Sequence, residues 1–378
     1  MNPRRAAVVA ALVAALAVLA SVVALSSSGS SARQLSARQE SGGQLSGREG
    51  TGPSSLTPPE QARPAPELTG VTDFDGTPPL TMSSLRGRVV LVDFWTYTCI
   101  NCRRTFPFLR RLQQTYADAG LTVLGIHSPE FSFERSHANV ARAVRELGVT
   151  WPVAEDPRMA TWNAWGNQYW PADYLVDRQG RVRSFSFGEG HDQQIEGAVR
   201  ALLDEDGRAP SQSVGDVPGP ERPPTGAVDV TPETYFGSER GAGNTAGGEV
   251  VPPGRTVVRH DRLQPRDVLA LDGTVTGAEQ YLELGAGASV GQRFSARDVY
   301  VTAAPAQGQV VLDVTLDGRP LPPERRGRSL RVVGGRTVVN VAGDDLYSLV
   351  TGPAITGGLL RLTARGAGLR LFTLTYGA

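Results

Sequence analysis

The stretch that most restricts how this chain can fold is Val89 to Leu109, VVLVDFWTYTCINCRRTFPFL. From Val89 to Trp95 the residues are β-branched, aliphatic or aromatic, with Asp93 the one charge, which is the composition of a strand buried on both faces. The run breaks at Thr96-Tyr97-Thr98, and a helix-like spacing then begins with Cys99 and Cys102 in its first turn. At the leading end of a helix, orphan backbone N–H groups and the positive end of the dipole favour a thiolate, so Cys99 occupies a nucleophile's position. Two cysteines three apart can close a disulfide across one helical turn, so the pair can alternate between dithiol and disulfide.

These are the only 2 cysteines among 378 residues. A structural zinc site wants four nitrogen or sulfur ligands, and the histidines, His127, His137, His191 and His260, show no paired spacing, so neither a metal nor a cofactor is expected. A purely structural bridge over two intervening residues would remove little entropy from the unfolded chain. Redox chemistry of the pair is the stronger reading.

Further strings lie around the pair: HSPEF at His127, NQYWPA at Asn167 and GEG at Gly188. Together with WTYTCINC they give a segment that resembles the thioredoxin superfamily. Within it the likeness is to membrane-tethered, extracytoplasmic redoxins of the TlpA/ResA kind, and to the C-terminal region of the DipZ proteins. The resemblance covers about Pro66 to Leu203 and implies an α/β thioredoxin-like fold, a central mixed sheet flanked by helices. It also implies roles. Asp93, six residues before Cys99, matches a buried carboxylate that moves a proton for the second cysteine. Glu130 matches an active-site glutamate of the cytochrome-maturation relatives. Trp95 matches an aromatic packed under the motif, Pro107 a proline that kinks the long helix, and Pro171 a cis-proline beside the sulfurs, with Trp170 before it. On this likeness Cys99, Cys102, Asp93 and Glu130 are catalytic, and Trp95, Trp170 and Pro171 bind substrate.

Taken in order, the chain begins with Asn2-Pro3-Arg4-Arg5 and an unbroken small and apolar run, Ala6 to Leu25. Twenty such residues can span a bilayer with the arginines inside, so residues 1–25 read as a signal anchor, or as a signal peptide if cleaved near Ala20 or Ala24. Residues 26–66 are rich in Ser, Gly, Gln, Arg and Pro and read as a disordered tether. The thioredoxin-like domain is expected over 67–204. It opens with an edge hairpin through Thr77 to Thr81 and Leu85 to Arg88, followed by the active-site helix to Ala119 closed by Gly120. Then come a parallel strand Leu121 to His127, a helix Glu134 to Leu147, and a short strand Trp151 to Ala154. A helical turn Ala160 to Trp165, an antiparallel pair Asp173 to Asp177 and Val182 to Phe187, and a helix Ile195 to Leu203 complete it. Trp151, Trp162 and Trp165 read as core, and His127 and His137 as ordinary polar residues.

Residues 205–226, containing PGPERPP, read as a linker. Residues 227–378 hold short alternating runs separated by Asp-Gly and Gly-Gly turns, with no helix between them, which predicts an all-β antiparallel sandwich, jelly-roll-like. The string DVTPETYFGSER, Asp229 to Arg240, resembles the corresponding stretch of the DipZ tail, a module that in the relatives resembles a carbohydrate-binding one. This copy has no tryptophan to serve as a sugar platform.

The formal net charge is +0, which gives no electrostatic basis for nucleic-acid binding. The function expected is extracytoplasmic thiol–disulfide exchange, reducing disulfides of envelope proteins such as an apocytochrome c, with electrons from a membrane carrier of the DsbD or CcdA type. The protein would sit in the cell membrane by a single pass, its folded domains outside, or be secreted if the leader is removed. Two alternatives stand beside it. One is a thiol peroxidase, because Thr96-x-x-Cys99 echoes a peroxiredoxin core, although that pattern wants a proline where the chain has Val92. The other is a non-enzymatic envelope protein that docks on a glycan through its C-terminal domain.

Overall fold

The buried run forms as expected, and what surrounds it explains why every side chain in it is covered. The computed structural model describes residues 56–72, 79–207, 211–215 and 229–377; the apolar run Ala6 to Leu25 and the tether up to residue 55 lie outside them. No helix among the described residues is long and apolar enough to cross a membrane.

The first sheet among the described residues consists of β1 (Arg63–Pro64), β2 (Val89–Trp95), β3 (Leu121–His127), β4 (Val153–Glu155), β5 (Ala172–Val176) and β6 (Arg181–Phe187). Their order is β1-β6-β5-β2-β3-β4. β2 runs parallel to β3 and antiparallel to β5, and so lies near the middle of a mixed sheet. Its alternate side chains enter two different cores. Val89, Leu91 and Trp95 pack against Phe106, Leu109 and Leu112 of helix α1 (Ile100–Tyr116) and Val199 and Leu202 of a later helix. Val90, Val92 and Phe94 face Met82, Trp162, Trp165 and Tyr174. Helices α2 (His137–Glu146), α3 (Ala160–Ala164) and α4 (Asp192–Asp204) complete the two layers. Trp151, Trp162 and Trp165 are buried, as core residues should be.

Five details differ from the expectation. α1 ends at Tyr116, because residues 117–120 form a separate turn in which the Gly120 N–H donates to the Ala117 carbonyl. Gly120, at φ +105°, then leads into β3 rather than capping the helix. The helix expected from Glu134 is broken at Ser136: Ser132–Arg135 is a 3-10 turn, because the Glu134 side chain is turned inward to bond other loops. In place of the edge hairpin, residues 79–88 form turns, pinned where the Glu67 carboxylate accepts the N–H groups of Met82 and Ser83, both at 2.9 Å. The edge strand is β1, inside the stretch read as tether. The Thr57 N–H donates to the Arg183 carbonyl at 2.7 Å and Leu56 packs on the core, so the folded domain begins by residue 56. The linker also docks in part: Val214 is buried and its N–H donates to Glu196 at 2.6 Å.

The C-terminal region comprises β7 (Thr234–Tyr235), β8 (Thr256–His260), β9 (Leu269–Gly277), β10 (Leu282–Leu284), β11 (Ser289–Ala296), β12 (Asp298–Pro305) and β13 (Val310–Leu316). There follow β14 (Arg319–Pro320), β15 (Arg331–Val333), β16 (Arg336–Val341), β17 (Asp345–Val350), β18 (Thr356–Ala364) and β19 (Leu369–Gly377). Neighbouring strands pair antiparallel, and the whole is one hydrogen-bonded sheet rather than two, ordered β15-β16-β13-β18-β11-β9-β10-β19-β12-β17. Short β10 bridges the halves, and Leu271, Val301, Leu312, Leu349, Leu360 and Leu374 from both halves share one core. The sequence reading did not mark β7, β8, β9, β14 or β17. β9 contains Asp272-Gly273, which looks like a turn; Gly273, at φ +91°, instead continues the strand where an added Cβ would lie 2.9 Å from the Ala288 Cα.

The two regions meet on the side of the cysteines. Phe131 and Phe133 stack on each other, and both meet Phe372 of β19 edge-on, at ring distances of 5.1 and 4.8 Å. Arg103, next to Cys102, reaches Asp345 at 2.5 Å, and Arg104 pairs with Glu189 at 3.0 Å and Asp298 at 3.5 Å. Truncating Phe372 to Ala is expected to cost about 3 kcal/mol by chemical denaturation and to raise hydrogen exchange around Phe131 and Phe133. A change under about 1 kcal/mol would mean that the aromatic contact does not hold the two regions together.

Candidate active site

Cys99 is the N-cap residue of α1. Its backbone is extended, at φ −78° and ψ 112°, and its Sγ accepts the Cys102 N–H at 3.2 Å. The sulfur thus takes the place that a serine or aspartate oxygen takes at other helix starts, facing orphan donors. Cys99 is half-exposed, Cys102 is fully buried, and both are free. Burial pushes the Cys102 thiol well up, helped by its contact with Cys99 and by the charge of Asp93. One sulfur is therefore reachable, while the other stays protonated until a base relieves it.

Asp93 is the carboxyl whose charge acts on that thiol. It lies on β2 with no exposed surface, and neither carboxylate oxygen has a hydrogen-bond partner among the described residues. Burial first, and then the neighbouring Asp173, hold its carboxyl well above the usual range. Asp173 is its register partner on β5, also buried, and burial together with Asp192 pushes it up to about 7. His127, at the end of β3, is buried, and burial pushes it down to about 3, so it is a neutral ring. It stacks on Tyr97 at 5.7 Å and meets Trp95 edge-on.

Glu130 stands apart from Cys102. Its Oε1 accepts from the Tyr235 hydroxyl at 2.9 Å and pairs with Arg240 at 2.8 Å, both from the C-terminal region. The guanidinium of Arg240 lies 3.9 Å from the centre of the Tyr235 ring. Glu233 accepts from the Thr375 hydroxyl at 2.8 Å and competes with Glu130 for the single Tyr235 hydroxyl proton, at 2.9 Å. Glu233, Tyr235 and Arg240 form one wall of a cleft of about 230 Å3 whose other wall is Thr98, Cys99, Glu130, Tyr169 and Trp170. Sequence reasoning missed Glu233, Tyr235 and Arg240 as site residues, although all three lie in the string DVTPETYFGSER. It also missed Glu134. That buried carboxylate accepts the Thr98 hydroxyl at 2.6 Å and the N–H groups of Glu130 and Phe131 at 2.7 and 2.9 Å, tying the loop before Cys99 to the loop of Glu130. The sequence carried no capping signal for it, because Phe131, three residues before, has no side-chain acceptor.

Trp170 lines the cleft and donates its indole N–H to the Ser128 carbonyl at 2.9 Å, while its ring lies on Trp162 at 4.1 Å. The Trp170–Pro171 peptide is cis, and Pro171 is buried behind it. Trp95 does not reach substrate space: it is fully buried between Phe106 and His127, so it supports the motif from below and is not a binding residue. Its position on the inward face of β2 dictates this.

Residues 62–185 match the model of the AhpC/TSA family, and residues 231–377 match that of the Thioredoxin like C-terminal domain. The chain is 35% identical over 326 residues to Protein DipZ of Mycobacterium bovis, which covers 84% of this chain and 43% of that protein. It thus spans less than half the length of that relative. It is 29% identical over 145 residues to the thiol-disulfide oxidoreductase YkuV of Bacillus subtilis, covering 38% of this chain and 96% of the relative. Among solved structures, a thiol-disulfide isomerase from Corynebacterium glutamicum aligns with 26% identity and a TM-score of 0.34, over 37% of this chain and 97% of that one.

The raised carboxylates have a consequence for stability. A carboxyl whose folded pKa lies above its unfolded value stabilises the fold most at acidic pH. That contribution falls as pH rises from the unfolded value through the folded one, here from about 4 to about 7 for Asp173. Asp173→Asn is expected to remove this decline and to be more stable than the parent at pH 8 by roughly 2 to 4 kcal/mol. Denaturation curves across pH check it; parallel curves for variant and parent would contradict it.

Proposed function

Starting from a chain that carries a thioredoxin-like redoxin domain, we propose that it is a thiol–disulfide oxidoreductase that reduces protein disulfides outside the cytoplasm. The observation that supports this most is the inequality of the two free sulfurs, Cys99 half-exposed on the cleft at a helix start and Cys102 buried one turn behind it. In the proposed cycle the Cys99 thiolate attacks a partner's disulfide. One partner sulfur leaves as thiolate and the other is held as a mixed disulfide. Cys102 gives its proton to the Asp93 carboxylate and attacks the Cys99 sulfur; the Cys99–Cys102 disulfide closes as the second partner sulfur leaves as thiolate and takes a proton from solvent. Two electrons have passed to the partner, and a membrane carrier of the DsbD or CcdA type is the class of donor that would restore the dithiol.

Of the two carboxylates expected to serve Cys102, Asp93 is the one whose charge acts on its thiol, whereas Glu130 is engaged by Arg240 and Tyr235. In this reading Glu130 shapes the cleft and Asp93 moves the proton. The wall made by Glu233, Tyr235 and Arg240 gives the C-terminal region a place in choosing which disulfide reaches Cys99, in preference to the glycan role considered from sequence. The site favours an extended peptide segment, apocytochrome c being one such substrate, because an approaching chain must pass between Trp170 and that wall.

Cys102→Ala is expected to retain substrate as a mixed disulfide through Cys99, identifiable by mass spectrometry, and Cys99→Ser to reduce insulin no faster than buffer. Peroxide turnover by the parent matching its rate on protein disulfides, with no trapped protein, would replace this reading with the peroxidase one. For location, we read Ala6 to Leu25 as the anchor of domains lying outside. Protease added to intact spheroplasts of the producing cell should then degrade them, and full protection until lysis would refute it.

A further inference from the structure

We infer that Asp173 shares one proton with Asp93 and carries protons between that carboxylate and a water-sized cavity beyond β5, so that Cys102 is deprotonated through a pair of carboxylates. The inference rests on the oxidoreductase reading and names a residue that reading does not use.

The geometry is cross-strand. Asp93 and Asp173 are direct partners in the antiparallel β2–β5 register, so their side chains leave the same face of the sheet, with Cβ atoms about 5 Å apart. That face is the one covered by α1 and α4, where Leu91, Leu175 and Cys102 lie. Asp93 has no exposed surface and Asp173 has 3%. Neither forms an ion pair among the described residues, and three of their four oxygens are without a hydrogen-bond partner: both of Asp93 and Oδ1 of Asp173. Two carboxylates so placed and so dry cannot both be charged, and one proton held between them satisfies both. The groups facing the pair add no positive charge. α1 brings Cys102 and Cys99, α4 brings Asp192, β6 brings the hydroxyls of Ser184 and Ser186, and β3 presents Gly125 opposite Asp93.

The outlet is on the side of Asp173. A cavity of about 40 Å3 is lined by Asp173, Leu91, Leu175, Ser184, Ser186 and Gln194, which is space enough for water. Ser186 is the register partner of Asp173 on β6; Ser184 and Ser186 are half-buried and Gln194 is exposed, so the cavity reaches the surface away from the cysteine cleft. The step then balances. With Cys99 joined to a partner, the Cys102 S–H proton passes to the pair, which now holds two. The Cys102 electron pair forms the bond to the Cys99 sulfur, and the bond from Cys99 to the partner sulfur breaks, its electrons leaving on the partner thiolate, which takes a proton from solvent. Asp173 releases the extra proton to water in the cavity, and the pair returns to one proton.

The test uses the full chain. Cys99 is loaded with a chromogenic thionitrobenzoate disulfide, and its release by Cys102 is timed across pH in the parent, Asp93→Asn and Asp173→Asn. The pair becomes a base on losing the first of its two protons, a loss the neighbouring O–H favours, so in Asp173→Asn, where Asp93 ionises alone, the midpoint of the pH dependence should move to higher pH by about one unit. The 13C-carboxyl titration of Asp93 should move with it. A group that merely packs would leave both unchanged. In the reduced parent, the Asp93 and Asp173 carboxyl carbons should each titrate in two shared steps; this needs no variant, so it decides the matter even if Asp173→Asn fails to fold. An active parent with independent single-step titrations and an unmoved midpoint overturns the proton-sharing pair alone. A parent that never releases the chromogen overturns the oxidoreductase reading itself.

Discussion

The structure depends on taking a thiol and a carboxylic acid out of water at one junction between a strand and a helix. β2 can hold Asp93 because it is covered on both faces, and α1 can hold Cys102 because its first turn packs straight onto β2. Burial there disfavours the charged form of both groups, so each holds its proton to a higher pH than an exposed copy would. Isolated, such groups would only weaken the fold. Near each other, they give the buried thiol a carboxyl that shares its low-polarity surroundings, and burial keeps the second sulfur silent until the first has engaged a partner.

The second constraint is the contact between the two regions. Arg103 and Arg104 follow Cys102 directly, and instead of facing solvent they are bound to Asp345, Glu189 and Asp298. Glu130 and Glu134, four residues apart, divide the work on the other side: Glu134 ties the Thr98 loop down, and Glu130 accepts from Arg240 and Tyr235. The cleft over Cys99 is therefore built by both regions, and its polar wall of Glu233, Tyr235 and Arg240 is as much a part of the site as Trp170.

Much of this was legible in the chain. The strand–turn–helix around Cys99 and Cys102, the parallel β3, the β5–β6 pair and most C-terminal strands followed from apolar periodicity and from glycine-bearing turns. What was not legible depended on partners distant in sequence. Arg63 and Pro64 look like tether because a two-residue edge strand shows no periodicity; it exists only because β6 offers it a register. Trp95 was assigned to substrate because the likeness places it near the motif, but which face of β2 it occupies decides that it is core. The role of Glu130 changed for a similar reason, since the arginine that engages it lies 110 residues away. Asp173 gave no signal, because a lone aspartate in an apolar strand acquires meaning only from what stands opposite.

The account turns on one sulfur being reachable and the other not. Limited alkylation of the reduced protein at neutral pH, quenched in acid and mapped by peptide mass, measures this directly. The structure predicts that Cys99 is modified first and Cys102 only after unfolding; labelling of the two at comparable rates in the folded protein would contradict it.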